Sequence, residues 1–192
     1  MHERIFRPEQ AHRLEDPARL EWLPPHDIMQ AMDVEPGQTI ADVGAGTGYF
    51  TLPLARQIGL HGVVYAVDVQ SEMLGWIREK IERDAVFNIQ LVHAEAHATQ
   101  LPEECCDLFF LANLWHELDD REATLHEAMR VLKPEGRIAI LDWRPDVERE
   151  FGPPLDHRLS VESCVSELQQ ADFAATVIKD IGRYHWLVQG AR

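Results

Sequence analysis

The stretch Ile40-Ala41-Asp42-Val43-Gly44-Ala45-Gly46-Thr47-Gly48-Tyr49-Phe50 runs from apolar residues into a G-x-G-x-G turn. Glycines adopt backbone angles closed to other residues and let a ligand approach the main chain. Free N–H groups at the start of a following helix would then face that ligand. Asp42 stands two residues before the first glycine, and Asp68 ends an apolar run about 20 residues beyond the last. A carboxylate at that distance, on the neighbouring strand end, suits a ribose diol, because it accepts two hydroxyl hydrogens at once. Capping the next helix is the other use of Asp68, although Ser71 is expected to be that cap. Further along, Trp115-His116 follows an apolar run, and an imidazole titrating near neutrality suits proton transfer; both residues could equally begin a helix over the pocket. Trp143 could wall a pocket or sit under a cation, or lie in the core. Arg144 and the pair His157-Arg158 could hold an anionic group, or be solvated.

These residues need strands to carry them to one edge. Apolar runs predict strands at 39–43, 63–67, 89–92, 107–112 and 137–141, then a pair at 174–178 and 186–189. Continuous apolar runs suit strands covered on both faces, as in a parallel sheet. Helical spacing is expected at 17–23, 26–32, 49–58, 73–84, 120–132 and 160–171, with a turn at Lys133-Pro134-Glu135-Gly136 and a long loop over 144–156. The alternation implies an α/β, doubly wound, seven-stranded, mostly parallel sheet, closed by a C-terminal antiparallel hairpin turning at 180–182. Residues 1–35 read as an N-terminal helical cap and 36–192 as the main body of a single domain. Ligands of such sheets bind beyond the carboxyl ends of the strands.

The chain has 192 residues, 45% hydrophobic and 27% charged, with 33 acids against 18 bases and a net charge of −15. That balance disfavours nucleic acid and anionic membranes. No run approaches the roughly 20 apolar residues of a membrane span, and the first ten residues lack a signal-peptide pattern. Cys105, Cys106 and Cys164 form no disulfide framework, so the cytoplasm is the expected compartment. The vicinal pair could bind a soft metalloid, but it falls at the start of a strand, remote from the crevice. The ten histidines show no metal-ligand spacing, and no metal site is expected.

Several motifs in order resemble the class I S-adenosylmethionine-dependent methyltransferases, across residues 20–192. They are the glycine turn, Val64-Tyr65-Ala66-Val67-Asp68-Val69-Gln70-Ser71-Glu72-Met73-Leu74, Ala98-Thr99-Gln100-Leu101-Pro102, Asp107–Asn113, and Glu127-Ala128-Met129-Arg130-Val131-Leu132-Lys133-Pro134-Glu135-Gly136-Arg137. The pattern is most similar to the small-molecule branch with the ubiquinone/menaquinone-biosynthesis enzymes. The resemblance implies a Rossmann-like methyltransferase fold and S-adenosyl-L-methionine as cofactor, leaving S-adenosyl-L-homocysteine. It also implies a small-molecule acceptor; a monomer or homodimer is expected. Cofactor contacts are expected from Asp42, Gly44, Ala45, Gly46, Asp68, Val69, Glu95, His97, Ala98 and Asn113, while residue chemistry and position make His116 the candidate catalytic base and Trp115, Trp143, Arg144, His157 and Arg158 the candidate acceptor contacts. His97 stands where the family has the adenine-side acid; Glu95 is the nearest acid, and either could meet the adenine amino group. An NAD(P)-linked oxidoreductase and a non-catalytic cofactor-binding sensor are the alternatives.

Overall fold

The computed structural model describes residues 8–148 and 151–192, apart from the side chains of 8 and 177–180. Residues 1–7 of the expected cap and 149–150 of the expected loop lie outside the described residues. The apolar runs form one sheet: β1 (Thr39–Val43), β2 (Val63–Asp68), β3 (Ile89–His93), β4 (Cys106–Ala112), β5 (Leu132–Trp143), β6 (Ala174–Ile181) and β7 (His185–Ala191). Their order is β3-β2-β1-β4-β5-β7-β6. The first five pair in parallel, and β7 runs antiparallel to both β5 and β6.

The middle strands are apolar on both faces because both faces are covered. Ile40, Leu108 and Phe110 pack with Leu54 and Ile58 of α3 (Thr51–Ile58) and Ile77 of α4 (Ser71–Asp84). Their neighbours Ala41, Phe109 and Leu111 point the other way, onto Leu125 of α5 (Arg121–Val131) and Leu168 of α6 (Val161–Gln170). The alternation of strand side chains thus feeds two apolar layers from one continuous run. Asp120 caps α5 by accepting Ala123 N–H at 2.9 Å, and Ser160 caps α6 through Ser163 N–H at 3.2 Å.

Four local expectations are corrected. The helix expected at 17–23 is a short α1 (Arg19–Trp22), preceded by a 3-10 helix over Pro8–Glu15 and followed by α2 (Pro25–Ala31). Ser71 does not cap α4: Gln70 takes that position, and Ser71 Oγ pairs with Glu72 instead. The turn at 133–136 is a bulge inside β5, whose register slips between Cys106↔Leu132 and Leu108↔Arg137. Asp107 holds that bulge, accepting from Lys133 Nζ at 2.8 Å and from Thr39 N–H of β1 at 2.7 Å. The last hairpin turns over 182–184, because β6 extends to Ile181.

Candidate functional site

Strand order reverses between β1 and β4. A crevice forms at such a reversal, beyond the carboxyl ends of the strands. Every residue assigned to the cofactor lies on or just after β1, β2, β3 or β4.

Gly44 and Gly46 have φ of +73° and +54°, in the region that disfavours side chains. A Cβ on Gly44 would also lie 2.7 Å from Leu114 Cδ2. The amides of the turn itself are taken up within the protein. Gly44 and Ala45 N–H donate to Val67 O at 2.8 and 3.0 Å, and Gly46 N–H donates to Asp68 Oδ2 at 2.8 Å. These bonds pin the turn to β2, with the side chains of Leu114 and Leu14 against Gly44 and Gly46. Below it, the buried Asp42 accepts from Thr51 Oγ1 at 2.6 Å, tying β1 to the first turn of α3. Burial pushes the Asp42 carboxyl up to about 7; the Thr51 bond opposes this and the charge of Asp68 adds to it.

Asp68 is 7% exposed. Its second oxygen, Oδ1, accepts Gln70 N–H at 2.9 Å, so the aspartate also steadies the approach to α4. Burial raises its carboxyl, against the pull of the Gln70 and Gly46 amides and of His93. The Val69 amide adds a weaker pull on the same carboxylate, which with about four acceptor positions has capacity for a further hydroxyl hydrogen. The rim beside it is half-exposed Val69, whose carbonyl accepts from His93 Nε2 at 2.8 Å; His93 is the register partner of Asp68 on β3.

Glu95, His97 and Ala98 stand exposed on a tight turn closed by Ala98 N–H to Glu95 O at 3.1 Å. This turn is held from below by α5. Thr99 N–H and Oγ1 both donate to Glu127 Oε1, and Arg130 donates to Glu127 at 2.7 Å and to Leu101 O at 2.8 Å. Burial of Glu127 works to raise its carboxyl, but the bonds from Arg130 and Thr99 outweigh it and hold it low.

After β4, Asn113 takes φ of +56° and donates its N–H to Leu141 O at 2.8 Å. Among the described residues, Asn113 Oδ1 and Thr47 Oγ1 are buried without a hydrogen-bond partner. A polar atom left so costs on the order of 1–3 kcal/mol. Thr47 lies in the glycine turn, and Leu114, next to Asn113, touches Gly44. Both atoms therefore suit a polar ligand seated on that turn.

His116 follows in a short 3-10 turn, Trp115–Glu117. Its N–H and Nδ1 meet the two oxygens of Asp142, at 2.9 and 2.7 Å. Burial lowers the imidazole's basicity, yet the charge and hydrogen bond of Asp142, with the charge of Glu117, raise it overall; Arg158 opposes them. Trp115 is not at the crevice wall. It is fully buried in the second apolar layer, with Nε1 donating to Glu167 at 3.1 Å.

Trp143 is 6% exposed and sits at the centre of an aromatic cluster. Its ring centroid is 4.3 Å from His185, 5.6 Å from Trp22 and 6.4 Å from Phe151. The guanidiniums expected to hold an anion are engaged within the protein. Arg158 donates to the carbonyls of Pro153, Arg144 and Val147 at 3.0, 3.0 and 2.8 Å, and Arg144 forks onto Asp146 at 3.0 and 2.7 Å. His157 lies beside them in a 3-10 turn, Leu155–His157, with its amide on Pro154 O.

The N-terminal segment runs from the glycine turn to the aromatic cluster. Leu14 Cδ1 lies 3.5 Å from the Cβ position of Gly46, and Lys80 of α4 ties Glu15 to Thr47 O at 2.7 and 2.8 Å. Trp22 then joins the aromatic cluster. Cys106 and Cys164 are fully buried, and burial pushes both thiols up. The described residues contain no group of three or more potential metal ligands. Sequence reasoning placed Asp142 on the ligand side after the fifth strand without giving it a role, and gave none to Leu114, His93 or the Glu127–Arg130 pair. That pair was findable by its i, i+3 spacing on a helix.

A family model described as a methyltransferase domain matches residues 41–140. The chain is 30% identical over 161 residues to the ubiquinone/menaquinone biosynthesis C-methyltransferase UbiE of Cronobacter sakazakii, covering 83% of this chain and 61% of that one. For UbiE of Vibrio campbellii the figures are 28% over 158 residues, 82% and 58%. The chain thus spans about three-fifths of the length of these curated relatives. It also superposes on a SAM dependent methyltransferase from Aquifex aeolicus with a TM-score of 0.92 and 32% identity, covering 97% of this chain and 99% of that one.

Proposed function

The chain belongs to the methyltransferase-domain family, and from that premise we propose that it transfers a methyl group from S-adenosylmethionine to a small-molecule acceptor, releasing S-adenosylhomocysteine. The observation that carries this reading is Asp68, a buried carboxylate at the end of β2 bonded to the glycine turn, the group type and place that suit ribose hydroxyls. The small-molecule class draws on the UbiE relatives. Neither the nicotinamide nor the sensor alternative gains support from relatives named as methyltransferases.

When bound, S-adenosylmethionine supplies an electrophilic methyl on a sulfonium that becomes neutral on transfer, so orientation and exclusion of water do much of the catalysis. Gly44, Ala45 and Gly46, braced by Asp42, form the floor of the site. Asp68 grips the ribose hydroxyls. Val69 and Ala98 flank the adenine, and Glu95 or His97 meets its amino group. Asn113 Oδ1 accepts from the ammonium of the amino-acid end. His116 takes the acceptor's proton, and the Trp143 cluster walls the acceptor side with His157 at its edge.

No helix among the described residues is long and apolar enough to cross a membrane. Three unpaired thiols support a cytoplasmic setting, and a net charge of −15 speaks against nucleic-acid partners. Calorimetry with S-adenosylhomocysteine, S-adenosylmethionine and NADH tests the reading. The first two should bind and NADH should not; binding of NADH alone would refute it. Asp68→Ala should weaken S-adenosylhomocysteine binding by roughly 1.5–3 kcal/mol, the scale of hydrogen bonds to a charged group.

A further inference from the structure

Asp142 is the last residue but one of β5 and is 1% exposed, yet none of the cofactor contacts proposed above needs it. Its carboxylate accepts three hydrogen bonds: Oδ2 from His116 N–H at 2.9 Å, and Oδ1 from His116 Nδ1 at 2.7 Å and from Trp143 N–H at 2.7 Å. Two of the three come from one residue, its main chain and its ring. That double grip fixes both where the imidazole sits and how it is rotated. An ionised carboxylate only accepts, so the hydrogen of this pair is on Nδ1. The neutral ring then keeps its lone pair at Nε2. Nε2 stands 3.7 Å from Glu117 Oε1, too far for a hydrogen bond but close enough for the carboxylate to favour a proton there. The charged groups around the ring are Asp142 from β5, Glu117 from its own turn, and Arg158 from the segment before α6; only Arg158 opposes protonation.

The turn carrying His116 begins directly after Asn113 and Leu114, and Leu114 lies against Gly44, so His116 follows the strand end that meets the glycine turn, with its side chain mostly buried. We propose that Asp142 is the positioning residue of the transfer step: it holds His116 in the Nδ1–H tautomer and reserves Nε2 for the acceptor's proton. This rests on the methyl-transfer reading and adds the residue that makes His116 a base. In the step, the acceptor's electron pair forms the bond to the methyl carbon and the breaking S–C pair stays on sulfur. The acceptor's proton moves to Nε2. The positive charge lost at sulfur reappears on an imidazolium flanked by Asp142 and Glu117.

The test is nuclear magnetic resonance of the full chain, carrying ¹⁵N-histidine and loaded with S-adenosylhomocysteine. His116 is identified by the signal missing in His116→Gln. In the wild type, above its titration, Nδ1 should carry the hydrogen and Nε2 should be bare. Asp142→Asn should disturb that preference and lower the His116 midpoint by about one pH unit or more. With an acceptor found by methyl-label transfer, Asp142→Asn should lower kcat with little change in KM. It should also move the low-pH limb of kcat to lower pH, and Asp142→Glu should recover part of the loss. A bare Nδ1 in the wild type overturns the proposal without any variant having to fold. An unchanged midpoint in folded Asp142→Asn, or a kcat limb that ignores the substitution, does so too. Absence of S-adenosylhomocysteine binding would instead overturn the methyl-transfer reading beneath it.

Discussion

Asp42 and Asp68 show how neighbouring carboxylates acquire different tasks. Asp68 accepts the Gly46 and Gln70 amides, with Val69 adding a third, and ends β2 beside the glycine turn; Asp42 is bonded to the Thr51 hydroxyl and lies beneath the turn. Burial lifts the Asp42 carboxyl to about 7, well above its unfolded value. A raised acid favours the folded state while protonated. That stability is full below about pH 4 and is lost as pH rises through 7. Asp42→Asn keeps an acceptor for Thr51 and carries no charge. Its stability relative to wild type should therefore improve between pH 4.5 and pH 8, by on the order of 2–4 kcal/mol. Urea denaturation at the two pH values measures this; a constant difference would mean that Asp42 stays ionised in the native protein.

At the scale of elements, α5 supports the crevice without reaching it. Glu127 and Arg130 hold the Thr99–Leu101 stretch and so set the height of the Glu95–Ala98 turn. Glu127→Ala strands the Thr99 amide and frees Arg130. It should cost roughly 1–3 kcal/mol of stability and weaken S-adenosylhomocysteine binding, whereas Asp120→Ala, which removes only the cap of α5, should cost about 1 kcal/mol and leave binding alone. Equal affinities for wild type and Glu127→Ala would separate the turn from the cofactor. The strands were legible because each carries a short, mainly apolar run, and the glycine turn because its spacing is local. The bulge at Lys133–Gly136 was not, since Asp107 and the register of β4 decide it. Nor was the cap of α4, where Asp68 takes the Gln70 amide ahead of Ser71. Trp115 reads identically as wall or core; only α6, 52 residues away at Glu167, makes it core. The grip of Asp142 on His116 spans 26 residues and leaves no mark in local pattern.

For the whole molecule, one topological fact organises the rest: the reversal of strand order between β1 and β4 brings the glycine turn, Asp68 and Asn113 to a common edge. The N-terminal segment crosses that edge, from Leu14 on Gly46 to Trp22 on Trp143. A ligand bound only by the folded chain must stabilise it: at 100 times its Kd, S-adenosylhomocysteine should add about 2.7 kcal/mol and raise Tm by roughly 5–10 °C. A melting curve indifferent to the compound would deny it a site. The most direct measurement is a crystal structure of the full chain with S-adenosylhomocysteine. The expected result is a nucleoside over Gly44–Gly46 with both ribose hydroxyls on the Asp68 carboxylate. A nucleoside lodged elsewhere, or an Asp68 still bonded only to main-chain amides beside a bound ligand, would contradict it.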